Sequence, residues 1–292
     1  MPEQRTYVVT GSASGMGAAV AGRLRQAGDR VIGVDLHDAD VVADLSTASG
    51  RQRAVATVIE AASGRIDGVV CAAGLGPRPG LERTIVEVNY RGVTDLLEGL
   101  RPALARSDTA KVVVIGSNST TTTPMVPRRA VAALLAGDLD RACSRLLRVK
   151  RLAPAHAYAA SKLAVTHWTR LRATEPDWIG AGIHLNVLAP GAVMTAMLRD
   201  QLAGPEAKNV QRFPIPVGHF GDPDVLAQWA QFMLSPAAEF MVGAVVVVDG
   251  GTEALFRARD WPRPVPARQV PRFVRLMFGS KSPSATASHP AG

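Results

Sequence analysis

The chain has 292 residues, 47% apolar and 20% charged, which is enough for one large α/β domain with a sizeable core. No run approaches eighteen consecutive apolar residues, so no membrane-spanning helix is expected, and Cys71 and Cys143 form no spaced metal motif, so no metal is expected. The net charge of +8 is concentrated in two segments, 118–157 with seven Lys/Arg against two Asp and 256–292 with seven against one. This is local charge outside the core pattern, and it argues against a nucleic-acid binder.

The first five residues run straight into an apolar strand and lack the regions of a secretory signal, so a reduced, cytoplasmic setting is expected. Strand 6–10 is followed by helix 15–27, strand 30–35, a weaker strand 41–44, helix 51–62, strand 66–73 and helix 84–104. Strand 111–117, helix 158–173, strand 183–189, helix 222–234 and strand 244–248 complete the series. The strands are β-branched and almost continuously apolar, as strands buried on both faces are. Alternating strands and helices require crossover connections and hence a parallel sheet. The expected fold is α/β: a single Rossmann-type, doubly wound domain over 1–255, with seven parallel strands and helices on both faces.

Two segments break the alternation. Within 118–157, Val131, Leu134, Leu135, Leu139, Ala142 and Leu146 recur at helical spacing among Arg128, Arg129, Asp138, Arg141, Arg145 and Arg148, which predicts one amphipathic helix. The tail 256–292 is basic and Pro/Arg-rich and ends in a Ser/Ala/Pro stretch that reads as disordered. Its Val270, Phe273, Val274, Met277 and Phe278 alternate with Arg268, Arg272 and Arg275. Three readings stay open for it: an interfacial helix, an arm docked on a partner subunit, or a solvated arm.

The first strand ends in Thr10-Gly11-Ser12-Ala13-Ser14-Gly15-Met16-Gly17. Glycines in a strand-to-helix turn let the backbone approach a pyrophosphate, and the helix N-terminus holds it. Gly11, Ser14, Gly15, Met16 and Gly17 are therefore candidate cofactor contacts. Asp35 closes the second strand, where a carboxylate accepts hydrogen bonds from ribose hydroxyls and repels a 2′-phosphate. Leu36, His37 and Asp38 supply no cation for such a phosphate, so NAD(H) is expected over NADP(H). Asp44 and Leu45 are read either as an adenine border or as an ordinary strand end. Ala73 and Gly74, in Cys71-Ala72-Ala73-Gly74, are small enough for a cofactor to pass closely.

Tyr158 and Lys162 lie four apart in a helix and share a face. A phenol titrates near 10, and an ammonium beside it favours the phenolate, which suits acid–base work. With three Tyr and five Lys in the chain, chance supplies such a pair at about 5%. Ser117, at the end of the fifth strand, can hydrogen-bond a substrate oxygen, and Ser119 competes for that role.

These motifs, with Asn89 in Val88-Asn89-Tyr90, Pro190-Gly191 and Asp249-Gly250-Gly251, resemble the short-chain dehydrogenase/reductase family over about residues 5–252. The resemblance implies strand order 3-2-1-4-5-6-7, with Tyr158 as proton donor or acceptor and Lys162 as its pKa-lowering, ribose-binding partner. It implies that Ser117 orients the substrate oxygen and that Asn89 holds a relay water. It also implies that Pro190, Gly191, Val193 and Thr195 flank the nicotinamide. Two features depart from the family pattern: 41 positions separate Ser117 from Tyr158, about 28 more than usual, and Cys71-Ala72 replaces an asparagine pair.

The run from Val34 to Thr47, Cys71 to Pro77 and the long segment before Tyr158 look like the bacterial 3α-hydroxysteroid dehydrogenase/carbonyl reductase group of that family. That likeness implies an NAD(H)-dependent alcohol dehydrogenase or carbonyl reductase for an apolar secondary alcohol or ketone, working as a homodimer through the inserted helix. An aryl- or terpene-alcohol dehydrogenase is the neighbouring alternative, and a non-catalytic NAD-binding regulatory subunit is the alternative of a different class. Met194, Met197, Leu198, Leu202, Val210, Phe213, Ile215 and Val217 either line an apolar substrate site or pack a lid.

Overall fold

The computed structural model describes residues 4–204 and 207–279. The Ser/Ala/Pro end of the tail, expected to be disordered, lies outside the described residues. The chain divides into two units, Met1–Phe256 and Arg257–Gly292.

In the first unit, β1 (Thr6–Thr10), α1 (Gly15–Gln26), β2 (Arg30–Asp35), β3 (Val41–Val42), α2 (Ala48–Ala61) and β4 (Gly68–Cys71) come first. Next are α3 (Glu82–Val86), a π-helical turn (Glu87–Arg91), α4 (Gly92–Leu104) and β5 (Ala110–Ile115). Then follow α5 (Ser119–Thr122), α6 (Arg128–Leu135), α7 (Leu139–Leu147), α8 (Ala153–Arg172) and β6 (Ile183–Pro190). The unit ends with α9 (Ala196–Ala203), α10 (Ala207–Gln211), α11 (Pro223–Leu234), β7 (Val245–Val248) and α12 (Thr252–Arg257). The seven strands form one parallel sheet in the order β3-β2-β1-β4-β5-β6-β7, the Rossmann-type order expected.

Alternation along each strand divides the core in two. Val8, Val69, Val112, Val114, Leu185 and Val187 point into the larger layer, which includes residues of α2, α4 and α8. Tyr7, Val9, Val70, Val113, Ile115 and Leu188 point into the other, beneath α1 and α11. Strands buried on both sides explain the continuous apolar runs. The chain reverses direction of winding between β1 and β4, which opens a crevice at their carboxyl ends.

The inserted segment departs from expectation. It holds two principal helices, α6 and α7, in place of one. Gly137 takes φ +79°, and the amides of Gly137 and Asp138 bond back to Leu134 O and Ala133 O, which ends α6. Asp138 then caps α7 by accepting from the Arg141 amide at 2.9 Å. Periodicity carries across that corner because both helices bury their apolar sides in the same core as α8, through Ala130, Val131, Leu134, Ala142 and Leu146. A second departure lies in 84–104, where the π-helical turn interrupts the expected single helix.

Candidate active site

The crevice is built first from glycine. Gly11 has φ +71°, and a Cβ there would sit 2.8 Å from the Ala73 amide nitrogen. A Cβ on Gly17 would lie 2.1 Å from Gly11 O, so only glycine lets the turn fold back onto the start of α1. Ser14 precedes α1 in extended conformation without a side-chain cap bond, and the first turn carries no acidic residue. The amides there are thus open to an anion. Thr10 Oγ1 accepts from the Ala73 amide at 3.1 Å, tying the β1 turn to the small residues after β4.

Asp35 sits at the rim of this turn. Its carboxylate accepts from the Ala13 amide at 2.9 Å and from the Leu36 amide at 2.7 Å. Asp44 accepts from the Ser46 amide at 2.8 Å, and the Leu45 side chain is buried in the core, so Leu45 can border an adenine only through its main chain. Across the crevice, Pro190 ends β6 and Gly191 follows it, where a Cβ would meet Asp249 Cα at 2.8 Å. Val193 pairs with Gly221, and Thr195 caps α9 with its methyl 3.2 Å from where a Gly15 Cβ would be. Met16 is partly buried against the α1-side core. The glycine turn and the 190–195 segment therefore face each other, and these cradles fit a dinucleotide.

The reacting groups converge at the ends of β4 and β5. Ser117 lies two residues beyond β5, and its side chain is close enough to Tyr158 on α8 to favour the phenolate. Ser117 Oγ also accepts from the Ser119 amide at 3.0 Å. The Ser119 hydroxyl is buried without a partner, so of the two candidates it is Ser117 that meets Tyr158. Lys162, one turn further along α8, is buried and donates to Ile115 O at 2.8 Å. Burial lowers its pKa to about 8. Burial raises the Tyr158 phenol, and the Ser117 side chain is what opposes the rise. The Lys162 ammonium is directed to the β5 carbonyl.

Asn89 is fully buried on the π-helical turn. It accepts from the Leu75 amide at 2.8 Å and donates to Leu75 O at 2.9 Å and Ser161 Oγ at 3.3 Å. A Gly74 Cβ would stand 3.2 Å from Asn89 Oδ1 and 3.6 Å from Lys162 Nζ. Asn89 thus locks the 74–75 backbone above the lysine. Cys71, beneath, is held neutral, its pKa pushed up to about 12 by burial.

Three contributors were not legible as site parts. Asn118 donates to Asp249 at 3.1 Å, and Asp249 accepts from the Gly251 and Glu253 amides, which couples the Ser117 loop to the end of β7. The Asp249-Gly250-Gly251 motif was the available signal. Arg51, buried, bonds Leu45 O at 3.0 Å, Asp95 at 2.9 Å and Glu87 at 3.2 Å. It links the Asp44-Leu45 corner to the turn that carries Asn89. Ser161, the partner of Asn89, is a short polar residue in the middle of a helix and carried no signal.

In the 194–217 segment, a Cβ on Gly76 would meet Met197 and Gln201 of α9 at about 3 Å, so α9 roofs the loop after β4. Leu198 is buried, and Ile215 and Val217 pack where a Gly250 Cβ would go. Part of this set is therefore lid packing. Met194 lines a cleft of about 550 Å³ with Arg199, Phe220, Gly221, Asp222 and Pro223. Among the described residues, no three His, Cys, Asp or Glu are placed to hold a metal.

Two family descriptions match the chain: short chain dehydrogenase over residues 5–127 and Enoyl-(Acyl carrier protein) reductase over 143–253. The chain is 38% identical to the 3-alpha-hydroxysteroid dehydrogenase/carbonyl reductase of Comamonas testosteroni, covering 86% of this chain and 97% of that protein. It is 30% identical to a galactitol 2-dehydrogenase (L-tagatose-forming) of Cereibacter sphaeroides, covering 83% and 92%. The crystal structure of the 3-alpha-hydroxysteroid dehydrogenase from Pseudomonas sp. B-0831 complexed with NADH superposes with a TM-score of 0.82 at 42% identity, covering 87% of this chain and 99% of that one.

Proposed function

The chain belongs to the short-chain dehydrogenase/reductase family, and from that footing we propose that it is an NAD(H)-dependent enzyme interconverting an apolar secondary alcohol and its ketone, 3α-hydroxysteroids being the first substrate class to test. The observation that carries the reading is the convergence of Ser117, Tyr158 and buried Lys162 at the mouth of a glycine-lined crevice.

The amides at the start of α1 would hold the pyrophosphate, Asp35 the adenine ribose, and Pro190, Gly191, Val193 and Thr195 the nicotinamide side. When bound, the nicotinamide supplies the two-electron acceptor or donor of the reaction. Ser117 orients the substrate oxygen. Tyr158 Oη takes the hydroxyl proton during oxidation and returns it during reduction. Lys162 would hold a ribose hydroxyl and carries the charge that favours the phenolate. Asn89 keeps the 74–75 backbone in place and is the residue for a relay water. Asp35 at the rim supports NAD(H) over NADP(H), because a carboxylate repels a 2′-phosphate. Met194, Met197 and Phe220 support an apolar substrate. Likeness to the insertion-bearing group supports a homodimer, which light scattering would test, and two free buried cysteines fit a reducing compartment.

Tyr158→Phe is expected to bind NADH as the unaltered protein does and to lose about 10²–10⁴-fold in kcat. Unchanged turnover would overturn Tyr158 as the acid–base residue, whereas an unaltered protein that binds NADH but turns over no alcohol would leave a non-catalytic NAD-binding subunit as the better reading. A panel of 3α-hydroxysteroids, aryl alcohols and terpene alcohols, followed by NADH absorbance, separates the substrate classes.

A further inference from the structure

The second unit carries a helix, α13 (Val270–Gly279), preceded by a short 3₁₀ turn at Ala267–Gln269. Val270, Phe273, Val274, Leu276, Met277 and Phe278 are all exposed, Phe278 at 86% and Met277 at 60%. At 100° per residue these six occupy one continuous arc of about 200°, and Arg272 and Arg275 share the narrow remainder with Pro271 and Gly279. From Trp261 to the C-terminus there is no Asp or Glu, against five Lys/Arg. Trp261 and Val265 add exposed apolar surface on the approach.

We propose that α13 docks in the plane of an anionic lipid surface, with its apolar arc among the acyl chains and Arg268, Arg272 and Arg275 against the headgroups. An arc this wide needs an apolar medium, and an acid-free cationic flank needs a negative one. A bilayer with anionic headgroups offers both at one boundary. A nucleic acid would pair with the arginines and leave six apolar side chains in water. A second copy of this chain is a poor electrostatic match, since the first unit is itself net positive. The helix is about 15 Å long, half of what a bilayer core requires, so it lies on the surface and does not cross it. No helix among the described residues is long and apolar enough to span a membrane.

The test is flotation of the full-length protein with vesicles of phosphatidylcholine alone or with one-third phosphatidylglycerol, at low and high salt. Full-length protein is expected to float with the anionic vesicles at low salt and to remain in solution with the neutral ones. Two variants divide the contributions: Phe273→Ser with Phe278→Ser removes the apolar anchor, and Arg268→Gln with Arg272→Gln and Arg275→Gln removes the charge. Each is expected to lower the partition coefficient about tenfold or more while leaving NADH binding unchanged. Full-length protein that stays in solution with both vesicle types overturns the proposal, as does flotation that both variants retain. A change of oligomeric state in the apolar variant without any vesicle binding also overturns it and assigns the face to a second copy.

Discussion

The Ser117 side chain favours the Tyr158 phenolate, against a burial that disfavours it. Removing the hydroxyl leaves burial unopposed, so the phenol pKa rises further. In Ser117→Ala the ascending limb of the kcat/KM profile for alcohol oxidation is therefore expected to move to higher pH, and turnover at neutral pH to fall. A profile that kept its midpoint would mean that Ser117 does not tune the phenol. Asp35 gives the second test at this scale. Its carboxylate braces the glycine turn by accepting from the Ala13 and Leu36 amides. Asp35→Ala is expected to raise the KM for NAD about tenfold, the value of one or two hydrogen bonds to a charged group, and to narrow the preference over NADP. Steady-state kinetics with both cofactors would decide it. Sequence spacing singled out Tyr158 and Lys162, but not the direction of the lysine, which depends on the Ile115 carbonyl brought to it by β5.

At the scale of elements, the strands and most helices follow from pattern, and the exceptions have local causes. The corner between α6 and α7 rests on Gly137 and Asp138, a stop and a start in adjacent positions. The π-helical turn between α3 and α4 has no comparable signal in residue type, because its extra residue is absorbed by packing on α8 and by the bonds of Asn89. Arg51 steadies this region by joining α2 to Glu87 and Asp95 while holding Leu45 O. Arg51→Met leaves two carboxylates and a carbonyl without their shared cation. It is expected to cost about 3 kcal/mol, seen as a lower urea midpoint with an unchanged slope. A midpoint equal to that of the unaltered protein would show that the network contributes no net stability.

At the scale of the molecule, every residue of the proposed site lies in the first unit, with its own two-layer core on either side of the sheet. A chain ending at Phe256 is therefore expected to keep its kcat/KM within about twofold and its cooperative melt, since a domain with its own core folds alone. Loss of activity in that truncation would assign the tail a part in the site. The sequence pattern by itself determined the parallel seven-stranded sheet, and the family resemblance implied its order. Continuous apolar strands must be covered on both faces, and the glycine turn and Tyr158-x-x-x-Lys162 pair are local patterns of backbone conformation and helical period. Only the tertiary structure decided which serine meets Tyr158, where Lys162 points, and that Asp249, Arg51 and Ser161 brace the site. The pairs Arg51–Asp95, Lys162–Ile115, Asn89–Ser161 and Asn118–Asp249 lie 44 to 131 positions apart in the chain and meet only when the strand ends are brought together, so no spacing rule announces them.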